Sequence, residues 1–423
     1  MKKLIIALLL LPFVAMAQTL DECQQAAERN YPLIRQYDLI AKTTDLTVKN
    51  IQKGWLPQLS AQAQATYQSD VTAWPQQMQT MMQGLGISLE GLKKDQYRIG
   101  LDVQQTLYDG GIISSQKEVA RQQGNVQAAQ NEVTLYGVRK RVNEMYFAVL
   151  LLDQQMQLNK DLQQLLSANE QKLAKMHKGG TAAESDFLTV KAERLNAVQQ
   201  MTSLQSQRQA LLRLLSVFCG MEVSSVQKPA ESVALTVQST GQRPELKVVE
   251  AQLLLADAQE KALDAALMPR LSLFAQGFYG YPGLNMFEDM MRHKWSLNGI
   301  VGARLSWNIG SLYTRKNDKA KLDVQRSMFQ VQRDNFLFNN NLEQLQENEN
   351  IARYRKLMEG DEEIITLRSQ VRKAAESKLS HGIIDVNDLV REINSENAAR
   401  VQQSLHEIEL LKEVYDLKYT MKN

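Results

Sequence analysis

The sequence predicts a mainly α-helical chain with a transmembrane β portion, organised as a helix-strand-strand-helix-helix unit written twice. Three observations carry this reading. Proline-anchored segments recur at a fixed offset, four segments alternate apolar and polar residues, and long proline-free runs repeat apolar residues at heptad spacing.

The duplication comes first, because repeated units set the architecture before any single motif can be read. Pro32 in Asn30-Tyr31-Pro32-Leu33 is echoed by Pro244 in Gln242-Arg243-Pro244-Glu245, and Trp55-Leu56-Pro57-Gln58-Leu59-Ser60 by Leu267-Met268-Pro269-Arg270-Leu271-Ser272, both at an offset of 212. Further on, Leu107-Tyr108-Asp109-Gly110 matches Trp307-Asn308-Ile309-Gly310 at an offset of 200, and Gly180 with Asp186 matches Gly382 with Asp388 at 202. The second copy is therefore shorter by about a dozen residues. The loss falls in one loop, since the segment from Gln68 to Gln96 is about twice as long as that from Gly280 to Lys294.

The strands show a period of two. Leu59, Ala61, Ala63, Ala65 and Tyr67 alternate with Gln58, Ser60, Gln62, Gln64 and Thr66, and Tyr97, Ile99, Leu101 and Val103 alternate with Arg98, Gly100, Asp102 and Gln104. In the second copy Leu271, Leu273, Ala275, Gly277 and Tyr279 share one face. There too Trp295, Leu297, Gly299, Val301, Ala303, Leu305 and Trp307 oppose Ser296, Asn298, Arg304, Ser306 and Asn308. A soluble sandwich alternates in the same way. The membrane reading rests on strand length, about 10 to 13 residues against the roughly 9 to 11 of a tilted span, on a second face of Gln, Ser and Asn, and on aromatics at the strand ends. Tyr67, Tyr97, Tyr279, Trp295 and Trp307 are the expected membrane-interface aromatics. Four strands cannot close a barrel, and an open edge in lipid leaves backbone groups unpaired, so the chain is expected to oligomerise.

After Gly111 no proline occurs until Pro229. Val142, Met145, Val149, Leu152 and Met156 follow a 3,4,3,4 spacing, and Ile351, Tyr354, Met358 and Ile365 continue this register in the second copy. A helix from Ile112 to His177 would be on the order of 100 Å long at 1.5 Å per residue. Gln- and Asn-rich stretches between the apolar residues predict that the opposite faces are wet, with a solid coiled coil as the alternative.

At the start of the chain, Lys2 and Lys3, the apolar run Leu4 to Val14 and Ala15-Met16-Ala17 read as a signal peptide over residues 1–17. Cys23 follows Leu20-Asp21-Glu22, which is not a lipoprotein cleavage site, so no lipid anchor is expected. Removing Lys2 and Lys3 leaves 47 basic and 47 acidic residues, a balance that argues against nucleic-acid binding. Beyond Val14 no stretch approaches the roughly 20 apolar residues of a spanning helix. Cys23 and Cys219 can pair in an oxidising compartment or remain two separately buried thiols. No phosphate loop, clustered metal ligands or nucleophile motif is present, so neither enzyme activity nor a cofactor is expected.

The duplicated Pro-x-Leu strand starts, the strand ends Leu107-Tyr108-Asp109-Gly110-Gly111 and Leu305-Ser306-Trp307-Asn308-Ile309-Gly310, and the hairpin motif of Gly, five residues, then Asp and two apolar residues together resemble the TolC family of outer-membrane efflux proteins. The resemblance covers Gln18 to Tyr419. It divides the chain into a first repeat, 18–220 (strands about 57–67 and 97–108, helical hairpin about 112–217), a linker or equatorial segment, 221–243, and a second repeat, 244–423 (strands about 269–279 and 295–308, hairpin about 311–419). It implies a homotrimer in the outer membrane of a Gram-negative bacterium, with a twelve-stranded β-barrel continuing into a periplasmic α-helical barrel. Such a duct docks onto a periplasmic adaptor and an inner-membrane pump of the resistance-nodulation-division or ATP-driven type, and exports small molecules or proteins. A non-conducting coiled-coil surface protein is the alternative.

The resemblance also places sites. The hairpin tips around Gly179, Gly180 and Thr181 and around Gly382 and Ile383 are expected to meet the adaptor. Asp388, with Asp186 as its counterpart, is expected to line the closed periplasmic aperture, where symmetry makes a ring of carboxylates. Family members often carry a second acid where this chain has Arg391, so an Asp388 to Arg391 contact across a subunit boundary is expected in its place. The competing reading makes Asp186 and Asp388 helix-start acids stabilised by the macrodipole. His177 and His381 beside the tips read as solvated turn residues or as pH sensors. Met78, Met81, Met82, Met286, Met290 and Met291 read as gap-filling loop residues or as soft ligands for Cu(I) or Ag(I). Arg139-Lys140-Arg141 reads as solvated helix.

Overall fold

The computed structural model describes residues 17–230 and 243–421. Residues 1–16 of the expected signal peptide and positions 231–242 of the expected linker lie outside the described residues. The elements follow in the order α1 (Leu20–Asn30), α2 (Ile34–Gln52), β1 (Gln58–Tyr67), α3 (Gln76–Gln83), β2 (Asp95–Tyr108), α4 (Ile112–Lys178), α5 (Glu184–Cys219), α6 (Pro244–Ala266), β3 (Arg270–Tyr281), α7 (Met286–Arg292), β4 (Ser296–Ser306), α8 (Leu312–Ser380) and α9 (Val386–Met421). Each duplicated proline marks a boundary. Pro32 separates α1 from α2, Pro244 opens α6 in the first turn, where its missing N–H has no partner to lose, and Pro57 and Pro269 stand immediately before β1 and β3.

The chain packs as two compact units that cut across the two copies. The first comprises residues 17–37, 128–230, 243–248 and 332–421, and the second 38–127 and 249–331.

In the first unit, Cys23, Ala27, Val142, Tyr146, Phe147, Val149, Leu215 and Ile408 bring α1, α4, α5 and α9 into one core. The heptad residues Val142 and Val149 are fully buried, and Ile351 packs on Val414 and Leu417 with Tyr354 and Met358 beside it. Both cysteines are free thiols in this core, with the Cys219 Sγ 3.4 Å from the Cys23 carbonyl.

The Asn-rich stretches are less wet than the sequence predicts. Asn131, Asn143, Asn159, Asn169 and Asn340 are buried, and all but Asn340 donate their amides to a partner: the Leu33 carbonyl, the Asp416 carboxylate, the Gln200 side chain and the Leu165 carbonyl. The basic run also differs from expectation. Arg139 pairs with Glu28 at 2.5 Å and Lys140 with Glu343 at 3.1 Å, tying α4 to α1 and α8.

One residue the sequence reading left unassigned closes this unit. Arg243 is buried, forks onto Glu245 (3.0 and 2.7 Å) and donates to the Tyr419 and Thr420 carbonyls at the end of α9 (3.1 and 3.2 Å). Its guanidinium also lies over the rings of Tyr136, Tyr419 and Phe336. A cation on the last carbonyls of a helix satisfies groups that have no intrahelical partner.

The two helical hairpins carry one tie at equivalent positions with its polarity reversed. Glu170 on α4 meets Arg194 on α5 at 2.5 Å, and at the same offset of 202, Arg372 on α8 meets Glu396 on α9.

In the second unit the strands form one antiparallel sheet of order β1-β2-β3-β4, so β2 and β3 join the two copies at its centre. A bulge between Thr106 and Tyr108 ends the β2–β3 ladder, and Gly110 and Gly111 then turn the chain into α4. Buried Asp109 accepts from the Gly111 and Ile113 amides at 2.8 and 2.6 Å, capping the long helix. In the second copy Asn308 makes no such side-chain bond, and Trp307 Nε1 anchors the turn on the Leu267 carbonyl at 2.8 Å. Helices α6 and α8 are tied by Arg326 with Asp257 and Glu260 (2.8 and 2.6 Å) and by Lys319 with Glu260 and Asp264 (3.1 and 3.0 Å).

Two outcomes follow from this packing. Asp109→Ala strips the α4 N-terminus of both bonds and should lower stability by about 1–2 kcal/mol, read by faster amide exchange at residues 111–115; unchanged exchange would show that the cap is dispensable. Burial pushes the Glu347 carboxyl up to about 7, against the Thr420 hydroxyl that donates to it, and Asp416 up to about 6, against the Asn143 amide. The folded chain thus holds both protons more tightly than the unfolded chain, whose carboxyls have pKa values of about 4. The stability this supplies is complete below about pH 4 and is lost as pH rises through 6 and 7. Glu347→Gln with Asp416→Asn should raise the melting midpoint by a few degrees above pH 7, on the order of 1 kcal/mol, and leave it unmoved at about pH 4; equal shifts at both pH values would contradict the assignment.

Candidate functional site

Two places bring the sequence-predicted site residues together: the sheet of the second unit and the paired hairpin tips of the first. In the sheet, the register sets Leu59, Ala61 and Ala63 beside Val103, Leu101 and Ile99. These neighbour Ala275, Gly277 and Tyr279, which in turn neighbour Val301, Gly299 and Leu297. All four apolar sets therefore lie on one face. That face is open rather than packed, with Leu297 81%, Val301 83% and Leu305 71% exposed. Soluble chains rarely leave an apolar surface this continuous uncovered.

The aromatics border this face at both ends. Tyr67, Tyr97, Tyr279 and Trp295 lie at the end that carries the α3 and α7 loops, where Trp295 meets Tyr97 at 6.0 Å and Tyr279 at 5.3 Å between ring centres. Trp55, Tyr108 and Trp307 stand at the helical end, all exposed. Between Tyr97 and Tyr108 the strand rises roughly 36 Å at about 3.3 Å per residue, which at a tilt of about 40° spans roughly 27 Å, close to the apolar band of an outer-membrane barrel.

The opposite face is not the uniform Gln, Ser and Asn surface that the alternation predicts. It also carries Phe274 and Phe278, each seated where a glycine leaves room. A Cβ on Gly100 would stand 2.9 Å from the Phe278 Cβ, and one on Gly302 would stand 2.7 Å from the Phe274 ring. Arg98 covers Phe278 at 3.6 Å and Arg304 covers Phe274 at 5.0 Å. Reading β3 for its apolar odd positions alone hid these rings among the even ones.

At the tips, Gly180 and Gly382 adopt φ of +75° and +69°, the left-handed conformation that lets glycine end a helix without a Cβ penalty. Thr181 N–H bonds the Met176 carbonyl and Ile383 N–H the Lys378 carbonyl, both at 2.9 Å, so the two turns close in the same way. Gly179, Gly180, Thr181, Gly382 and Ile383 are exposed. Beneath both turns Leu166, Leu173, Val190, Val386, Leu389 and Ile393 form a shared core. His177 and His381 are exposed and bond only near neighbours in the chain, His177 the Ala182 carbonyl (3.2 Å) and His381 the Ser377 carbonyl (2.8 Å) and the Ser380 hydroxyl (3.4 Å).

The acids at the tips have separate duties. Asp186 accepts from the Ala183 amide at 3.2 Å and so holds the start of α5. In the second hairpin that role passes to Asp385, which accepts from the Asp388 amide at 2.9 Å. Asp388 is thereby free of capping, and its carboxylate meets Arg391 of the same helix at 3.0 Å. Within the chain this is an i,i+3 bond, the pairing that helical spacing brings within reach. Among the loop methionines, Met290 is buried against Leu92 and Tyr281, whereas Met78, Met81, Met286 and Met291 are exposed.

No family model matches the sequence, and no curated protein does. Solved structures do match the fold. The outer-membrane channel OprN superposes with a TM-score of 0.68 at 15% identity, over 95% of this chain and 89% of its own. CusC, described through its transmembrane channel formation, gives 0.69 at 14%, over 96% and 92%. The outer-membrane protein VceC from Vibrio cholerae gives 0.65 at 14%, over 95% and 94%. With duplicated hairpins, a shared four-stranded sheet and these superpositions along nearly its whole length, the chain has the fold of the TolC family of outer-membrane channels.

Proposed function

We propose that the chain is an outer-membrane channel of the TolC family, three copies of which close a twelve-stranded barrel in the outer membrane of a Gram-negative bacterium and extend as a helical duct into the periplasm. The observation that carries this is the sheet: one face is apolar and exposed along its length, and β1 and β4 have no neighbour on their outer sides among the described residues. In lipid an unpaired strand edge costs several kcal/mol per group, so only closure with further copies makes such a sheet stable there. Four strands per chain make a barrel of twelve in a trimer.

Helix α8 supports self-assembly independently. Val324, Met328, Val331, Phe338, Leu342 and Leu345 are exposed at heptad spacing, a seam ready for a helix of another copy. The duct itself performs no catalysis in this reading and needs no cofactor. It passes small molecules or proteins delivered by an inner-membrane pump of the resistance-nodulation-division or ATP-driven type. The exposed tips at Gly179, Gly180, Thr181, Gly382 and Ile383 meet the periplasmic adaptor. Asp388, steadied by Arg391, lines the periplasmic aperture, with Asp186 holding the neighbouring turn; the domain division is the two repeats joined by the 221–243 linker.

Two experiments test this. Phe338→Asp with Val331→Asp should convert a detergent-extracted, heat-labile oligomer to monomer, read by light scattering and by unheated gel mobility; an intact oligomer would remove the seam from the interface. In planar bilayers, Asp388→Ala should raise single-channel conductance severalfold over the native protein, and Arg391→Ala should raise it too. Native and variant channels of equal conductance would relocate the gate, and a purified oligomer that never conducts would favour a purely structural coiled coil.

A further inference from the structure

The polar face of the sheet carries four charged side chains on its strands: Arg98 on β2, Arg270 and Arg304 on β3 and β4, and a single acid, Asp102. Among the described residues no carboxylate forms an ion pair with any of the three arginines, and the Arg98 Nε is buried without a hydrogen-bond partner. Elsewhere this chain pairs its arginines freely, as Arg194, Arg208, Arg243, Arg326 and Arg372 show. On this face two of the three are instead laid on rings, Arg98 on Phe278 and Arg304 on Phe274. The Phe274 ring in turn fills the space over Gly302, and the Phe278 Cβ that over Gly100. An aromatic platform holds a guanidinium in place without neutralising it.

The register separates the charges by height. Arg98 lies in the row of Gly280 and Ser296 near the loop end, Arg304 in the row of Ser272 and Arg270 in the row of Ser306 near the helical end, with Asp102 between them beside Gln276. We propose that this face is an anion-attracting lining and that the barrel favours cargo bearing a carboxylate, sulfonate or phosphate over cations of similar size. The proposal rests on the channel reading above, in which the apolar face meets lipid and this face meets water. Three copies then place three guanidinium groups near the loop mouth and six, in two adjacent rows, near the helical end, and rings of one charge sign set the ion preference of a pore. Low-dielectric walls strengthen the effect by focusing the field along the lumen.

The acid at the periplasmic tip acts in the opposite sense, so the test is made in an Asp388→Ala background. Reversal potentials of the purified oligomer in a planar bilayer, measured across a KCl gradient, should give a chloride to potassium permeability ratio above one. Adding Arg98→Gln, Arg270→Gln and Arg304→Gln should bring the ratio to one or below while the pore still conducts. Lysine at the same three positions keeps the charges without the planar stack and should hold the ratio above one. A pore that conducts yet prefers potassium, or whose ratio ignores the glutamine changes, overturns the anion lining and leaves the channel reading standing. If no variant and no native protein conducts, the channel reading falls, and this inference with it.

Discussion

Backbone pairing at β1 and β4 is the constraint on which the rest depends. Within one chain the sheet satisfies its ladders only between neighbours, and its two outer strands present rows of amide and carbonyl groups to whatever lies beside them. Water can meet that demand on a soluble protein, at the risk of uncontrolled edge association. An apolar surroundings cannot, and the exposed Leu297, Val301 and Leu305 face indicates such surroundings. The proposed copy number, the barrel and the seam along α8 all derive from resolving these two edges.

The duplication meets this constraint economically. β2 and β3 come from different copies, so the centre of the sheet is the joint between them, and each copy contributes one edge. The same doubling places two similar turns over one small core at the tips. Divergence then divides the labour. Asp186 remains a capping acid, while Asp385 takes over the cap in the second hairpin and releases Asp388 to its i,i+3 partner.

Much of this was legible in the sequence because it depends on local rules. The period of two fixed which residues share a sheet face, the paired prolines fixed where helices give way to strands, and the glycines of the tips fixed where helices reverse. What stayed hidden depends on distant partners. The seating of Phe274 and Phe278 requires knowing that Gly302 and Gly100 stand opposite them, a matter of strand register. The burial of Asn143 or Arg243 depends on α9 closing over them, and nothing in their own neighbourhoods announces it. Arg139 and Lys140, which look like an exposed basic run, find acids far along the chain in Glu28 and Glu343.

The reversed ties of the two hairpins have a consequence for assembly. Helices from duplicated segments resemble one another, and α4 could in principle clasp α9, or α8 clasp α5, with much the same apolar surface covered. Such an exchange would set Glu170 against Glu396 and Arg372 against Arg194, confronting like charges at partly desolvated positions where correct partners attract. Swapping the signs in one copy therefore labels each strand-to-tip hairpin as belonging to itself, and lets two near-twins fold side by side in a single polypeptide without trading limbs.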